Sequence, residues 1–172
     1  MCSSGTDLVT VIKEILDLTK VEEGKMELDP LDISIQDVAS ATRRAFDQVA
    51  LQKGLRYTVD IKPDVPSSIF TDGQRLQQVM KNLLSNAFKF TEKGGVTLRI
   101  ELAAGDRRYA SRILDQADKV IAFAVEDTGI GIAKEKQQLI FEAFQQADGT
   151  TSRKFGGTGL GLSISREIAR LL

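Results

Sequence analysis

The run Asp72–Phe90, DGQRLQQVMKNLLSNAFKF, is the segment around which the rest of the chain must be built. An α-helix turns about 100° per residue. On that wheel Leu76, Val79, Leu83, Ala87 and Phe90 share an apolar stripe, and Arg75, Gln78, Asn82, Asn86 and Lys89 share a polar stripe beside it. A surface helix ordinarily sets its polar stripe opposite the core and fills it with Lys and Glu. Here two asparagines, one turn apart, stand at the edge of the buried face. Asn competes for backbone hydrogen bonds and weakens a helix, so the pair calls for a reason. One reason is a ligand, since an amide oxygen coordinates a hard cation such as Mg2+ and Lys89 can meet a phosphate. The other is a partly buried amide bonded to neighbouring backbone. The helix alone favours the second reason, and the glycine-rich segments downstream favour the first.

The flanking segments supply a domain around this helix. Thr6 or Asp7 caps an expected helix to about Glu23, with Leu8, Val11, Ile12, Ile15 and Leu18 at seam spacing and Gly24 as the stop. A short strand is expected at Leu31–Ile33, a helix at Ser34–Lys53 ended by Gly54, and an alternating strand at Leu55–Ile61. Ser68–Phe70 leads as a strand into the central helix, and Gly94-Gly95 ends that helix. Val96–Leu102 reads as a strand, Ala103–Lys119 as a long polar hairpin connection, and Val120–Val125 as a buried central strand. A short helix is expected near Lys134–Phe144, and helical periodicity returns over Thr158–Leu172.

Composition narrows the chemistry. With 23 basic and 24 acidic residues the net charge is -1, so no bulk attraction to nucleic acid is implied. There is no histidine, which removes the commonest general base, the commonest metal ligand and any Ser-His or Cys-His pair. The single cysteine, Cys2, allows no internal disulfide and fits a reducing compartment. No apolar run approaches the ~20 residues that cross a bilayer, and the start lacks signal-peptide regions. A cytoplasmic domain is expected, with membrane anchoring of the intact protein left open.

Two glycine segments carry the chemistry. The strand ending at Val125 runs into Glu126-Asp127-Thr128-Gly129-Ile130-Gly131. Asp127 can accept a hydrogen bond from an exocyclic amine, and Gly129 and Gly131 let the backbone approach a flat ring. A plain turn uses the same residues. The second segment, Phe155–Leu162, opens the last helix, where free N–H groups attract phosphate. It is not a P-loop, because no GxxxxGK[ST] occurs. Between the segments lie Phe141-Glu142-Ala143-Phe144 and a polar run with Arg153 and Lys154, the makings of a lid over a nucleotide.

In order along the chain, NLLSNAFKFT (Asn82–Thr91), DTGIGI (Asp127–Ile132), FEAF (Phe141–Phe144) and GGTGLGL (Gly156–Leu162) resemble the N, G1, F and G2 boxes of the sensor histidine kinases. The leading segment resembles the end of that family's dimerisation helix and its linker. The resemblance implies an α/β two-layer sandwich, a mixed sheet with helices on one face. It divides the chain into residues 1–28, the end of the dimerisation hairpin, and 29–172, the ATP-binding catalytic domain. It implies Mg2+ at Asn86, support from Asn82, and phosphate contact by Lys89. Asp127 takes the adenine amino group, with Phe90, Gly129, Gly131 and Ile132 near the base. Gly157, Thr158, Gly159, Leu160 and Gly161 line the phosphates, and Arg153 reaches toward the terminal one.

The resemblance further implies transfer of the γ-phosphoryl of Mg-ATP to a histidine on the dimerisation domain of a bacterial two-component kinase. A response-regulator receiver would follow, and the intact protein would be a homodimer. The acceptor histidine is absent here, and the family's closing strands would follow Leu172, so a fragment trimmed at both ends is expected. Related ATPases, such as the DNA gyrase B subunit, carry a water-activating glutamate one turn before the metal asparagine. Asn82 stands at that place, so slow hydrolysis is expected. The alternatives are a nucleotide-binding regulatory module without catalysis and a water-using ATPase.

Overall fold

A computed structural model describes residues 12, 15–17, 19–21, 23–103, 111–143 and 159–172. These form five strands, β1 (Leu31–Ser34), β2 (Arg56–Ile61), β3 (Ser68–Thr71), β4 (Gly95–Leu102) and β5 (Ile121–Asp127). Four helices follow in chain order as α1 (Ile35–Lys53), α2 (Gly73–Phe90), α3 (Arg112–Gln116) and α4 (Gly161–Leu171). The fold is α/β with a mixed sheet. Strand β4 lies between β2, which is parallel to it, and β5, which is antiparallel, while β1 and β3 form a separate antiparallel pair.

The chain divides into two compact units. One comprises 30–73 and 83–130. Its core is the inward face of the sheet with α1 and the second half of α2. Val96, Leu98 and Ile100 alternate on β4 and are buried, as are Val38, Phe46 and Ala50 of α1 and Leu84, Ala87 and Phe88 of α2. Phe46 and Phe88 stack with centroids 5.5 Å apart, and Tyr57 of β2 meets both rings edge-on. Burial raises the Tyr57 hydroxyl's pKa. Helix α1 is punctuated at both ends. The Ser34 side chain accepts from Asp37 N–H. Gly54 adopts φ 65°, and its N–H and that of Leu55 take the Leu51 and Ala50 carbonyls in a Schellman closure. Lys53 Nζ donates to the Phe88 carbonyl, tying the ends of α1 and α2 together.

The other unit comprises 1–29, 74–82 and 131–172. Leu76, Val79 and Met80 of α2 are buried in it, with Leu160, Ile164 and Ile168. The described residues between 12 and 21 are helical and end at Gly24, φ 65°, in the same Schellman pattern through Lys25 N–H and Lys20 O. Asp17 of this segment is 7% exposed. It accepts from Gln78 Nε2 at 2.9 Å, and Arg75 Nη1 lies 3.6 Å from its other oxygen.

Several expectations are corrected. The buried stripe of α2 runs through Met80, Leu84 and Phe88 rather than Leu83 and Phe90, which are half-buried, because the helix turns Phe88 into the aromatic stack. Among the described residues, strand β5 is not central. It has β4 on one side and no other partner among the described residues, and its residues are half-buried or exposed. The helix expected near 134–144 is instead two 3-10 turns, Lys134–Lys136 and Leu139–Phe141. Lys134–Gln138 carries no apolar side chain to bury, so no face exists to hold a longer helix. The connection between β4 and β5 includes the five-residue α3. Leu8, Val11 and Leu18 of the expected seam lie outside the described residues, while Ile12 and Ile15 are exposed.

Leu84 has no exposed surface, so Leu84→Ala is expected to cost about 3–5 kcal/mol through the cavity it leaves. Gly54→Ala meets open space but keeps φ 65°, so its cost should be only ~1 kcal/mol. Urea unfolding monitored by circular dichroism separates the two.

Candidate functional site

Helix α2 presents its polar stripe as the sequence suggests, with Arg75, Gln78, Asn82, Asn86 and Lys89 all half-buried. The two asparagines differ in their company. Asn82 Nδ2 donates to Ser165 Oγ at 2.8 Å. Its Oδ1 faces the start of α4, so closely that a Cβ on Gly161 would sit 2.4 Å from it. Asn86 makes no side-chain hydrogen bond among the described residues. Lys89 Nζ lies 5.0 Å from the Phe90 ring centroid. Burial lowers its pKa.

At the other end of α2, the turn after β5 closes against the helix. Asp127 Oδ1 accepts from Gly129 N–H at 2.8 Å, an Asx-turn, and the hydroxyl of buried Thr91 lies 3.5 Å from the same oxygen. Oδ2 has no hydrogen bond among the described residues and Asp127 is exposed. Ile130 N–H points to the Phe90 carbonyl at 3.4 Å. A Cβ on Gly129 would meet that carbonyl oxygen at 2.4 Å and Asp127 Oδ1 at 2.7 Å. Position 129 is therefore glycine for close packing on α2. Thr128 fastens the same turn to β4. Its hydroxyl donates to the Lys93 carbonyl at 2.8 Å and accepts from Gly95 N–H at 3.0 Å.

Gly131 differs from Gly129. Its φ is 68° and a Cβ there would meet nothing within 4 Å, so it is held to glycine by backbone conformation alone. Ile132 next to it is exposed. Gly159 also has positive φ, 73°, and Leu160 is fully buried, with its carbonyl accepting from Ser163 Oγ and Ile164 N–H. Phe141 is half-buried. Phe144, Arg153, Gly157 and Thr158 lie outside the described residues. The structure thus brings together Asn82 with Gly161, and Asp127 with Gly129, Phe90 and Thr91. Sequence reasoning missed Ser165 and the anchoring role of Thr91. Ser165 falls one turn after Gly161 on the same side of α4, which was the available signal for the first. A trough of about 300 Å3 is lined by Arg56 and Thr58 of β2, Gly95, Val96 and Thr97 of β4, and Glu126, Asp127 and Thr128. Glu126 is already engaged there by Arg99 at 2.7 Å.

Residues 71–172 match the family described as histidine kinase-, DNA gyrase B- and HSP90-like ATPases. The chain belongs to this ATPase family. It is 38% identical over 169 residues to hybrid signal transduction histidine kinase B of Dictyostelium discoideum, covering 98% of this chain and 8% of that protein. It is 36% identical over 165 residues to the signal transduction histidine-protein kinase BarA of Escherichia coli K12, covering 96% of this chain and 17% of that protein. Among solved structures it resembles full-length ShkA in complex with AMPPNP, with a TM-score of 0.78 and 29% identity over 97% of this chain and 31% of that one. The chain therefore spans less than a fifth of the length of these two curated relatives. Its mixed sheet is the ATPase family's α/β fold, as expected from the four sequence boxes.

Within this family member, Gly129→Ala is expected to lose about 1–3 kcal/mol, because its Cβ drives into a backbone carbonyl. Gly131→Ala should lose only ~1 kcal/mol. Urea midpoints of the two variants check the difference.

Proposed function

We propose that residues 29–172 are the ATP-binding catalytic domain of a sensor histidine kinase and that residues 1–28 are the end of its dimerisation hairpin. The observation that carries this reading is Asn86. It is a half-buried amide with no side-chain partner among the described residues, one turn after an amide whose nitrogen donates to Ser165. A hard cation fits such an oxygen. No group of three or more His, Cys, Asp or Glu residues that could hold a metal occurs among the described residues. An ion held by one amide and by substrate phosphates matches that donor set, as Mg2+ usually keeps few protein ligands.

In this reading Asn86 Oδ1 holds Mg2+, and Asn82 supports the metal-phosphate region. Lys89 reaches the phosphates, and its half-buried place strengthens that attraction. Asp127 Oδ2 accepts from the adenine amino group, while Oδ1 stays committed to its own turn. Phe90, Gly129, Gly131 and Ile132 border the base. Gly157, Thr158, Gly159, Leu160 and Gly161 offer main-chain N–H groups to the phosphates, and Arg153 approaches the terminal one. Mg2+, when bound, neutralises charge developing on the transferred phosphoryl group. The chain's own residues hold and orient the nucleotide and supply no base at position 82. Phosphoryl transfer needs chiefly that positioning. The acceptor is a histidine on the dimerisation domain, and a response-regulator receiver takes the phosphoryl group from it. The intact kinase works as a homodimer, with this domain in the cytoplasm.

The same reading explains why water is a poor acceptor. An amide at 82, already donating to Ser165, has no basic oxygen to activate water. The titration of AMPPNP with and without Mg2+ tests the site. Asp127→Asn should weaken binding at least tenfold in both conditions. Asn86→Ala should leave metal-free binding unchanged and erase the benefit of Mg2+. Equal affinities for all three proteins would overturn the assignment. With labelled ATP, label should appear on an added dimerisation domain bearing the acceptor histidine. Steady phosphate release indifferent to that domain would identify a hydrolase instead.

A further inference from the structure

Thr91 stands just past the end of α2 and is only 1% exposed. Its N–H closes the helix on the Ala87 carbonyl at 3.1 Å. Its hydroxyl has one hydrogen-bond partner among the described residues, Asp127 Oδ1, at 3.5 Å. An ionised carboxylate only accepts, so Thr91 is the donor and the bond has one direction. The same oxygen accepts from Gly129 N–H at 2.8 Å. These two donors come from different elements. The Gly129 bond lies within the turn that carries Asp127, so it lets the carboxylate move with that turn. The Thr91 bond ties the carboxylate to the end of α2, the helix of Asn86 and Lys89. Oδ2 stays open on the exposed side of Asp127. As a packing feature the threonine is a poor choice. A buried hydroxyl on one long bond costs free energy that a valine of the same outline would not. Bonds of this kind are often long before a ligand arrives and tighten in its complex.

We propose that Thr91 is a positioning residue of the base subsite: its buried hydroxyl holds the Asp127 carboxylate to the end of α2 and so sets how well the site distinguishes a 6-aminopurine from a purine lacking that amine. This rests on the nucleotide site proposed above, in which Asp127 Oδ2 accepts from the adenine amino group. A carboxylate held by one bond pivots about it, and a second donor from another element removes that freedom. Removing the Thr91 hydroxyl therefore weakens the contact with the amine and leaves contacts with the rest of the nucleotide alone. A merely structural hydroxyl would act on both equally.

The test is equilibrium binding, without metal, of ATP and of purine riboside triphosphate, which carries hydrogen in place of the 6-amino group. Wild type, Thr91→Val, Thr91→Ser, Asp127→Ala and the Thr91→Val/Asp127→Ala pair are compared, each with its urea unfolding curve. Thr91→Val should bind ATP roughly three- to fivefold more weakly, as for loss of one hydrogen bond. It should bind purine riboside triphosphate within about twofold of wild type, with an unfolding midpoint no lower than wild type. Thr91→Ser, which keeps the hydroxyl, should retain most of the preference for ATP. In the Asp127→Ala background, Thr91→Val should cost nothing more. An unchanged preference for ATP in Thr91→Val, equal losses for the two nucleotides, or losses that add in the double variant would overturn the proposal. If Thr91→Val does not fold, Thr91→Ala, which fits the same space, is read by the same criteria. A preference lost in Asp127→Ala but kept in Thr91→Val would sink this proposal and leave the nucleotide site standing. A wild type that binds both nucleotides equally, or neither, would sink both.

Discussion

Everything in this chain accommodates the double duty of α2. Its first half buries Leu76, Val79 and Met80, and its second half buries Leu84, Ala87 and Phe88. A helix gripped along its whole length cannot rotate to expose or hide its flank. The packing of its neighbours therefore holds Asn86 half-exposed, while Asn82 is also tied by its bond to Ser165. That arrangement explains how two poor helix formers are tolerated. Their helix-propensity cost, a few tenths of a kcal/mol each, is small beside the burial of six apolar side chains at about 1.5–3 kcal/mol for a large one.

The end of α2 shows the same economy. The Phe88 carbonyl would be left without an acceptor's partner in the last turn, and Lys53 Nζ supplies it. The Phe90 carbonyl receives Ile130 N–H, and Gly129 makes that approach possible. The Asx-turn of Asp127 then fixes one carboxylate oxygen and leaves the other outward. One short turn thus anchors a strand, ends a helix and aims an acceptor. A glycine count does not reveal this division of labour. Gly129 is required by contact, Gly131 and Gly159 by positive φ, and Gly161 by an amide from another helix.

What could be read from the sequence was what local chemistry dictates. Ser34 and Gly54 bracket α1, and the alternation of Val96, Leu98 and Ile100 gives β4, because caps and two-residue periods need no tertiary partner to be recognised. The two-asparagine stripe was legible for the same reason. Features set by distant partners were not. The choice of Phe88 over Phe90 for the core depends on stacking against Phe46, forty-two positions earlier in the chain. That β5 pairs only with β4 among the described residues depends on strand order, to which an apolar run is blind. Ser165 looked like an ordinary helical serine because its partner is eighty-three residues away.

That distant pair bears on the choice between transfer and hydrolysis. A carboxylate at position 82 has no N–H to give, so it would reverse the bond and accept from the Ser165 hydroxyl. Its second oxygen would then be charged and free, and water beside it would be activated. The amide does the opposite. Its donor end is consumed by a buried hydroxyl and its acceptor end is neutral, too weak a base to take a proton from water. The Asn82–Ser165 bond and the absence of a base at 82 are thus one chemical choice. In the proposed kinase reading each makes sense of the other, because a neutral amide at 82 leaves the phosphoryl group to a nucleophile other than water.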